Sequence, residues 1–226
     1  MIRVLQFADI INRWDFIDNL VQFADPARFE MSVCLRSEEH PIAAPQFPER
    51  TKYRLLPGNS RRDMLRTAPR LAETLREWEI DVLHAHHFEQ AAVGWLATRL
   101  HPRTKLIVGR HYSDLVQTLP PVKRAFYLSL EKIINRGAAR IIVPSDYIFE
   151  ILTRRQGVGA EKIDVIWYGF VAEKYVSLTE DKITSVRREL NLDGKFVVAS
   201  FGKLTKGKGV NFLAEAIGRL KVKITN

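Results

Sequence analysis

The order of apolar and polar positions divides the chain into short apolar runs separated by longer stretches of helical period. IRVLQF (2–7) reads as a strand, WDFIDNLVQFA (14–24) as an amphipathic helix, and FEMSVCL (29–35) and KYRLL (52–56) as two further strands. Leu71, Ala72, Leu75 and Trp78 then share one helical face, and Pro69 marks the expected start of that helix, because proline is tolerated in a first turn and not in an interior. The series continues with the strand DVLHAH (81–86), a helix over 88–100, the strand KLIVG (105–109), a helix over 121–136 and the strand RIIVP (140–144). Ser145 is well placed to cap another helix, and KIDVIW (162–167) is the last strand of the block. Alternation of this kind implies parallel strands joined by right-handed crossovers. Residues 1–175 are therefore expected to form one doubly wound α/β domain with helices on both faces of its sheet.

A polar, charge-mixed segment, VSLTEDKI (176–183), follows this block. Beyond it, TSVRRELNL (184–192) is expected as a short helix, FVVASFG (196–202) as a buried strand and VNFLAEAIGRL (210–220) as an amphipathic helix. A strand, a glycine-rich turn and a helix begin a second α/β domain without completing it, since a parallel strand needs neighbours on both edges and helices on both faces. The expected organisation is thus a domain over 1–175, a linker and short helix over 176–194, and the incomplete start of a second domain over 195–226.

Composition narrows the function classes. With 226 residues, 46% of them hydrophobic and 10% aromatic, the chain can fill a substantial core, and this excludes intrinsic disorder. The formal net charge is +9, with most of the excess after residue 110, which suits an anionic partner such as a phosphorylated small molecule or an acidic membrane surface. The basic residues are dispersed and no nucleic-acid-binding motif is visible, so no nucleic-acid partner is expected. A single Cys34 excludes a disulfide framework and a cysteine zinc site, and fits a reducing cytosol. The start MIRVLQFADI has no targeting character and no apolar run approaches the length of a membrane span, so a soluble, cytoplasmic protein is expected.

Three segments carry candidate chemistry. GKLTKGKG (202–209) is a turn between strand and helix in which Gly202 lets the backbone bend while Lys203, Lys208 and the free N–H groups of the following helix would hold an anion; a basic surface turn has the same spacing, and a Walker loop is excluded by the residue order. In DVLHAHHFEQ, His84 and His86 lie two apart and face the same side of the sheet, at a strand end where ligands of parallel sheets bind. Asp81, His87 or His111 could join them at a metal, but no spacing forces this, and packing or substrate hydrogen bonding outweighs it; no metal is expected. GRHYSD (109–114) places Arg110 and His111 in a loop after a strand, where a histidine can move a proton or bind a hydroxyl. The helix over 121–136 sets Lys123, Arg124, Lys132 and Arg136 beside Phe126, Leu130, Ile133 and Ile134, an ordinary surface helix or one that rests on an anionic membrane. Paired catalytic carboxylates, a nucleophile elbow and a GxGxxG fingerprint are all absent, which argues against a hydrolase or a dehydrogenase.

Taken in order, DVLHAHHFEQAAVGWLATRL, GRHYSD, RIIVPSDYIFEILTRRQGVGAEKIDVIWYGFVAEKY and FVVASFGKLTKGKGVNFLAEAIGRL resemble the glycosyltransferases of family 4 over residues 81–220. Those are retaining enzymes of the two-domain GT-B fold, so the resemblance implies a Rossmann-like, acceptor-side domain followed by the start of a nucleotide-sugar-binding domain. It implies a nucleoside-diphosphate sugar as donor substrate, no cofactor and no obligatory metal. Lys203 stands where the family usually has an Arg and Lys208 where it has a Lys, the pair that, with Gly202, would hold the donor diphosphate. His111 takes the position of the loop histidine at the reacting sugar. Asn12 and Arg13 occupy the region of the family's Gly-Gly turn, and with His84, His86 and Arg110 they are the acceptor-side candidates. Trp167-Tyr168-Gly169-Phe170 departs, except at Gly169, from the family's Pro-Asn-Gly-Val/Ile segment. The family's paired-glutamate motif would fall beyond Asn226, so a truncated chain, inactive alone, is expected. The alternative is a non-catalytic binding or interaction module that pairs with a separate C-terminal half. A peripheral contact with the inner face of an anionic membrane fits the basic helix.

Overall fold

Apolar runs too short to be helices and too apolar to lie at the surface have to be covered from both sides, and the computed structural model arranges seven of them as a single sheet. The structure describes residues 1–9, 15–37, 47–58, 63–112, 116, 119–173, 179–202, 204 and 208–224. The strands are β1 (Ile2–Asp9), β2 (Phe29–Ser37), β3 (Lys52–Pro57), β4 (Val82–His86), β5 (Lys105–Gly109), β6 (Arg140–Val143) and β7 (Ile163–Val165). Their order is β3-β2-β1-β4-β5-β6-β7, and every neighbouring pair is parallel. The chain winds outward from β1 to β3, then returns to the other side of β1 as β4. The carboxyl ends of β1 and β4 consequently flank a switch point, where the connections diverge and leave a crevice.

Helices α1 (Asp15–Phe23), α2 (Met64–Glu77), α3 (His87–Leu100), α4 (Pro121–Gly137) and α5 (Asp146–Glu150) complete this part of the chain. Alternation along the strands sorts side chains between two cores: Cys34 joins Leu5, Phe7, Leu71, Leu75, Leu83 and Val93 in the larger one, whereas its neighbours Val33 and Leu35 join Ala8, Ile17 and Val21 from α1 in the smaller. Each buried Leu or Phe is worth about 1.5–3 kcal/mol. Helix α3 packs tightly on the sheet at Gly94, where an added Cβ would sit 3.1–3.3 Å from Leu83, Ala85 and Leu106. The strand that ends in the histidines is thereby clamped to the helix that follows them.

Local detail departs from expectation in places. Helix α2 starts at Met64, so Pro69 lies inside it, on the exposed side. The Asp63 carbonyl nucleates the helix earlier by accepting from the Arg66 and Thr67 N–H groups and the Thr67 hydroxyl, and the ring removes only one later donor. Ser145 caps α5, its hydroxyl accepting from the Ile148 N–H at 3.4 Å. The helix then widens into a single π-type turn, Ile151–Arg155, closed by the Gln156 N–H on the Ile151 carbonyl.

Contacts divide the chain into two units, Met1–Phe170 and Val171–Asn226. The second contains α6 (Glu180–Glu189), which starts four residues before the expected helix because Thr179 caps it by accepting from the Lys182 N–H, and α7 (Val210–Ile224). FVVASFG does not form the expected strand: Phe196 and Phe201 are each 96% exposed. A strand needs a ladder partner, and the described residues of this unit include no strand to supply one.

Candidate histidine site at the sheet switch point

Four elements bring polar side chains to one place. In β4 the alternation of side chains puts His84 and His86 on one face, with ring centroids 4.1 Å apart. Gln6 reaches them from the adjacent strand, where it pairs in register with His84. Gly109 ends β5 opposite His86, and the chain then carries the ring of His111 over it. An added Cβ at Gly109 would lie 2.7 Å from His111 Nε2 and 3.0 Å from both His84 Nε2 and His86 Nδ1, so three imidazoles converge on a space that a side chain would fill. Tyr168 follows β7 and completes the group.

The contacts form a line. His86 Nε2 is 2.8 Å from Gln6 Oε1, His86 Nδ1 is 2.9 Å from His111 Nε2, and His111 Nδ1 is 2.7 Å from the Tyr168 hydroxyl. Phe16, early in α1, sets its ring edge-on to His86, His111 and Tyr168 at centroid distances of 5.9, 5.4 and 5.2 Å. His87 opens α3 with φ +68°, a left-handed conformation that costs a side-chain-bearing residue about 1–2 kcal/mol, and its ring is 5.3 Å from that of His111. Burial lowers His87 below the ordinary 6.5, and Asp9 at the end of β1, which accepts from the Gln90 amide at 3.1 Å, only partly offsets this.

Burial keeps the cluster uncharged. It lowers His84 to about 4 and His111 to about 3, the latter helped by repulsion from His87 and His84, and it holds His86 well below the ordinary 6.5. It also pushes the Tyr168 hydroxyl up to about 12. A histidine with a lowered folded pKa binds fewer protons in the folded than in the unfolded state, so its contribution to stability is present above pH 6.5 and is lost as the pH falls toward 4 and then 3. Denaturant midpoints are therefore expected to drop between pH 7 and pH 5. Equal midpoints at those two values would show that the histidines are not held neutral by the fold.

The other candidates lie apart from this line. Arg110 is 1% exposed and turns to Glu131, with Nη1 3.3 Å from a carboxylate oxygen and 3.2 Å from Gln156 Oε1; its guanidinium also lies 4.5 Å from the Tyr112 ring centroid. Gln156 donates to Glu131 at 2.7 Å and accepts from Asn135 at 3.4 Å. The arrangement suits Arg110 to anchoring the loop that carries His111. In the second unit Gly202 has φ +137° and Lys208 is exposed just before α7. Asn12, Arg13 and Lys203 lie outside the described residues. Among the described residues no group of three or more His, Cys, Asp or Glu side chains is arranged to hold a metal ion, and no helix is long and apolar enough to cross a membrane.

Sequence reasoning singled out His84, His86 and His111 but not Gln6, Phe16 or Tyr168. Gln6 left one signal, a polar residue inside the apolar strand IRVLQF; Phe16 left none that distinguishes it from core.

A family model described as Glycosyltransferase Family 4 matches residues 16–174. No curated protein is matched by sequence. Among solved structures, Anabaena HepE in complex with UDP and glucose is similar at TM-score 0.71 and 20% identity, the match covering 97% of this chain and 58% of that one. A glycosyltransferase from Rickettsia africae matches at TM-score 0.59 and 14% identity, over 85% of this chain and 50% of that one. S. aureus MnaA with UDP matches at TM-score 0.59 and 11% identity, over 84% and 52%. The chain thus spans between half and three-fifths of the length of these structures, which share its fold.

Proposed function

Since the chain belongs to glycosyltransferase family 4 and has the Rossmann-like sheet of GT-B glycosyltransferases, we propose that it forms the acceptor side of a retaining transferase that moves a sugar from a nucleoside diphosphate to an acceptor hydroxyl. The observation that carries this reading is a neutral, partly open histidine, His111, at the carboxyl end of the sheet beside the switch point. In the reaction the bond from the anomeric carbon to the diphosphate breaks, a bond to the acceptor oxygen forms on the same face, and the acceptor proton passes to the departing diphosphate. An uncharged imidazole suits this step, because it binds sugar hydroxyls without placing a cation where a positive anomeric centre develops. His84, His86 and the β1–α1 region around Asn12 and Arg13 are assigned to the acceptor side, with Arg110 anchoring the loop. UDP is the first nucleotide to test, being the one bound in two of the structural relatives.

Gly202, Lys203 and Lys208 are assigned to the donor diphosphate, with no cofactor and no metal required. In the complete two-domain protein, Lys208→Ala is expected to weaken nucleotide-sugar binding by about 1.5–3 kcal/mol, the worth of a charge-assisted hydrogen bond. Calorimetry against UDP-, GDP- and ADP-sugars checks this, and unchanged affinity for whichever donor binds removes the lysine from the site. A second reading, a non-catalytic module completed by a separate C-terminal half, draws on the exposed Phe196 and Phe201. Binding of such a half without any transfer by the pair would favour it.

A cytoplasmic location with peripheral membrane contact belongs to the same proposal. Helix α4 exposes Val122, Phe126 and Ile133 along one side, with Lys123, Lys132 and Arg136 beside them. Co-sedimentation with phosphatidylglycerol vesicles and not with phosphatidylcholine vesicles is the expected result. Equal recovery with both would sink the electrostatic contact.

A further inference from the structure

The hydrogen bonds around His111 take their direction from the buried end, since the Tyr168 hydroxyl at the other end can either donate or accept. Gln6 presents its amide oxygen to His86, so His86 Nε2 carries a proton and donates it. A neutral imidazole that donates from Nε2 accepts at Nδ1, and His111 Nε2 must then donate across the 2.9 Å contact. That leaves His111 Nδ1 without a proton, as an acceptor for the Tyr168 hydroxyl at 2.7 Å. A second proton on either imidazole would turn the His111 Nδ1 contact round, the phenol oxygen then accepting from Nδ1–H. Burial of the pair and the neighbouring rings of His84 and His87 oppose that charge, and Asp9 acts on His87.

The two ends of the line differ in accessibility. Gln6 and His86 are 2% and 1% exposed, so their bond is part of the interior, whereas Tyr168 is 45% exposed. We infer that Gln6 and His86 are positioning residues that lock His111 in the tautomer protonated at Nε2, so that Nδ1 faces the crevice as a hydrogen-bond acceptor for a substrate hydroxyl. The lock is set from the buried end; the Tyr168 hydroxyl is an exchangeable partner at the open end. A substrate hydroxyl can take its place without any change in the proton positions behind it. Only the substrate-facing part of this inference rests on the proposed transferase reading.

The test uses the full chain labelled with ¹⁵N-histidine, with the His111 signals assigned by their loss in His111→Gln. Long-range proton–nitrogen correlations report which ring nitrogen bears the proton. Tyr168→Phe is expected to leave His111 protonated at Nε2. Gln6→Met, close in shape but only a weak acceptor, frees His86 to move its proton to Nδ1, and His111 is then expected to switch to protonation at Nδ1. His86→Leu provides a second route to the same loss of the lock should Gln6→Met not fold. A switch in Tyr168→Phe, or its absence in Gln6→Met and His86→Leu, would overturn the inference. In a transfer assay on the complete two-domain protein, Gln6→Met is expected to lower kcat tenfold or more with KM little changed. A tautomer switch with undiminished kcat would keep the lock and overturn the substrate-facing role of His111. A fall in kcat without a switch would overturn the lock itself.

Discussion

Glu131→Ala is expected to destabilise the first unit by about 3–5 kcal/mol, the usual penalty for leaving a buried charge without its partner. The side chains of Glu131 and Arg110 are 2% and 1% exposed, and the carboxylate also accepts from the Gln156 amide. The 3.3 Å approach of Arg110 Nη1 is a charge contact more than a well-formed hydrogen bond, since the Glu131 oxygen it faces has no hydrogen-bond partner. Removing both charges together, in Arg110→Leu with Glu131→Leu, is expected to cost far less than either single change, because the desolvation of two ions disappears along with their attraction. Urea unfolding of the three variants checks the comparison. A single Glu131→Ala loss below about 1 kcal/mol would mean that water reaches the guanidinium and that the pair is not a buried one.

On the proposed transferase reading, His111→Ala is expected to lower sugar transfer by about 10²–10⁴-fold, the range for a group that exchanges protons or hydrogen bonds with the reacting centre. The fold should suffer less, by about 1–3 kcal/mol, mainly because His86 Nδ1 loses its partner. Measuring kcat beside the unfolding midpoint separates the two effects. Turnover within threefold of wild type, with the midpoint lowered, would reduce His111 to a packing residue and remove the main support for chemistry at this end of the sheet.

Much of the sheet was legible in the sequence because the central strands β1, β2, β4 and β5 are buried on both faces over most of their length and so read as short apolar runs such as IRVLQF and KLIVG. FVVASFG has the same composition yet forms no strand, since composition records what a segment needs and not whether a neighbour supplies it. Pro69 misplaced a helix start for a related reason: the hydrogen bonds on the Asp63 carbonyl start the helix earlier despite one lost donor, and only the local geometry reveals that balance. At the candidate site, the spacing of His84 and His86 and the loop placement of His111 could be read directly. The opposite fates of Arg110 and His111 could not, because adjacent residues in extended chain point to opposite sides and the sequence does not say which side holds Glu131. Tyr168 was visible only as a departure from a family pattern; its hydroxyl reaches His111 across a gap of 57 residues, a proximity that no local signal encodes.

The widened turn at Ile151–Arg155 ties that interior pair to the length of the chain. Such a turn is one residue longer than the α-helical turn it replaces, and it delivers Gln156 to Arg110, Glu131 and Asn135. Deleting one residue there would restore regular winding but rotate the downstream residues by about 100°, carrying the glutamine amide off the ion pair. The widened turn and the buried charges therefore depend on each other. Shortening the turn by one residue should cost much less in a chain where Arg110 and Glu131 are both leucine than in this one.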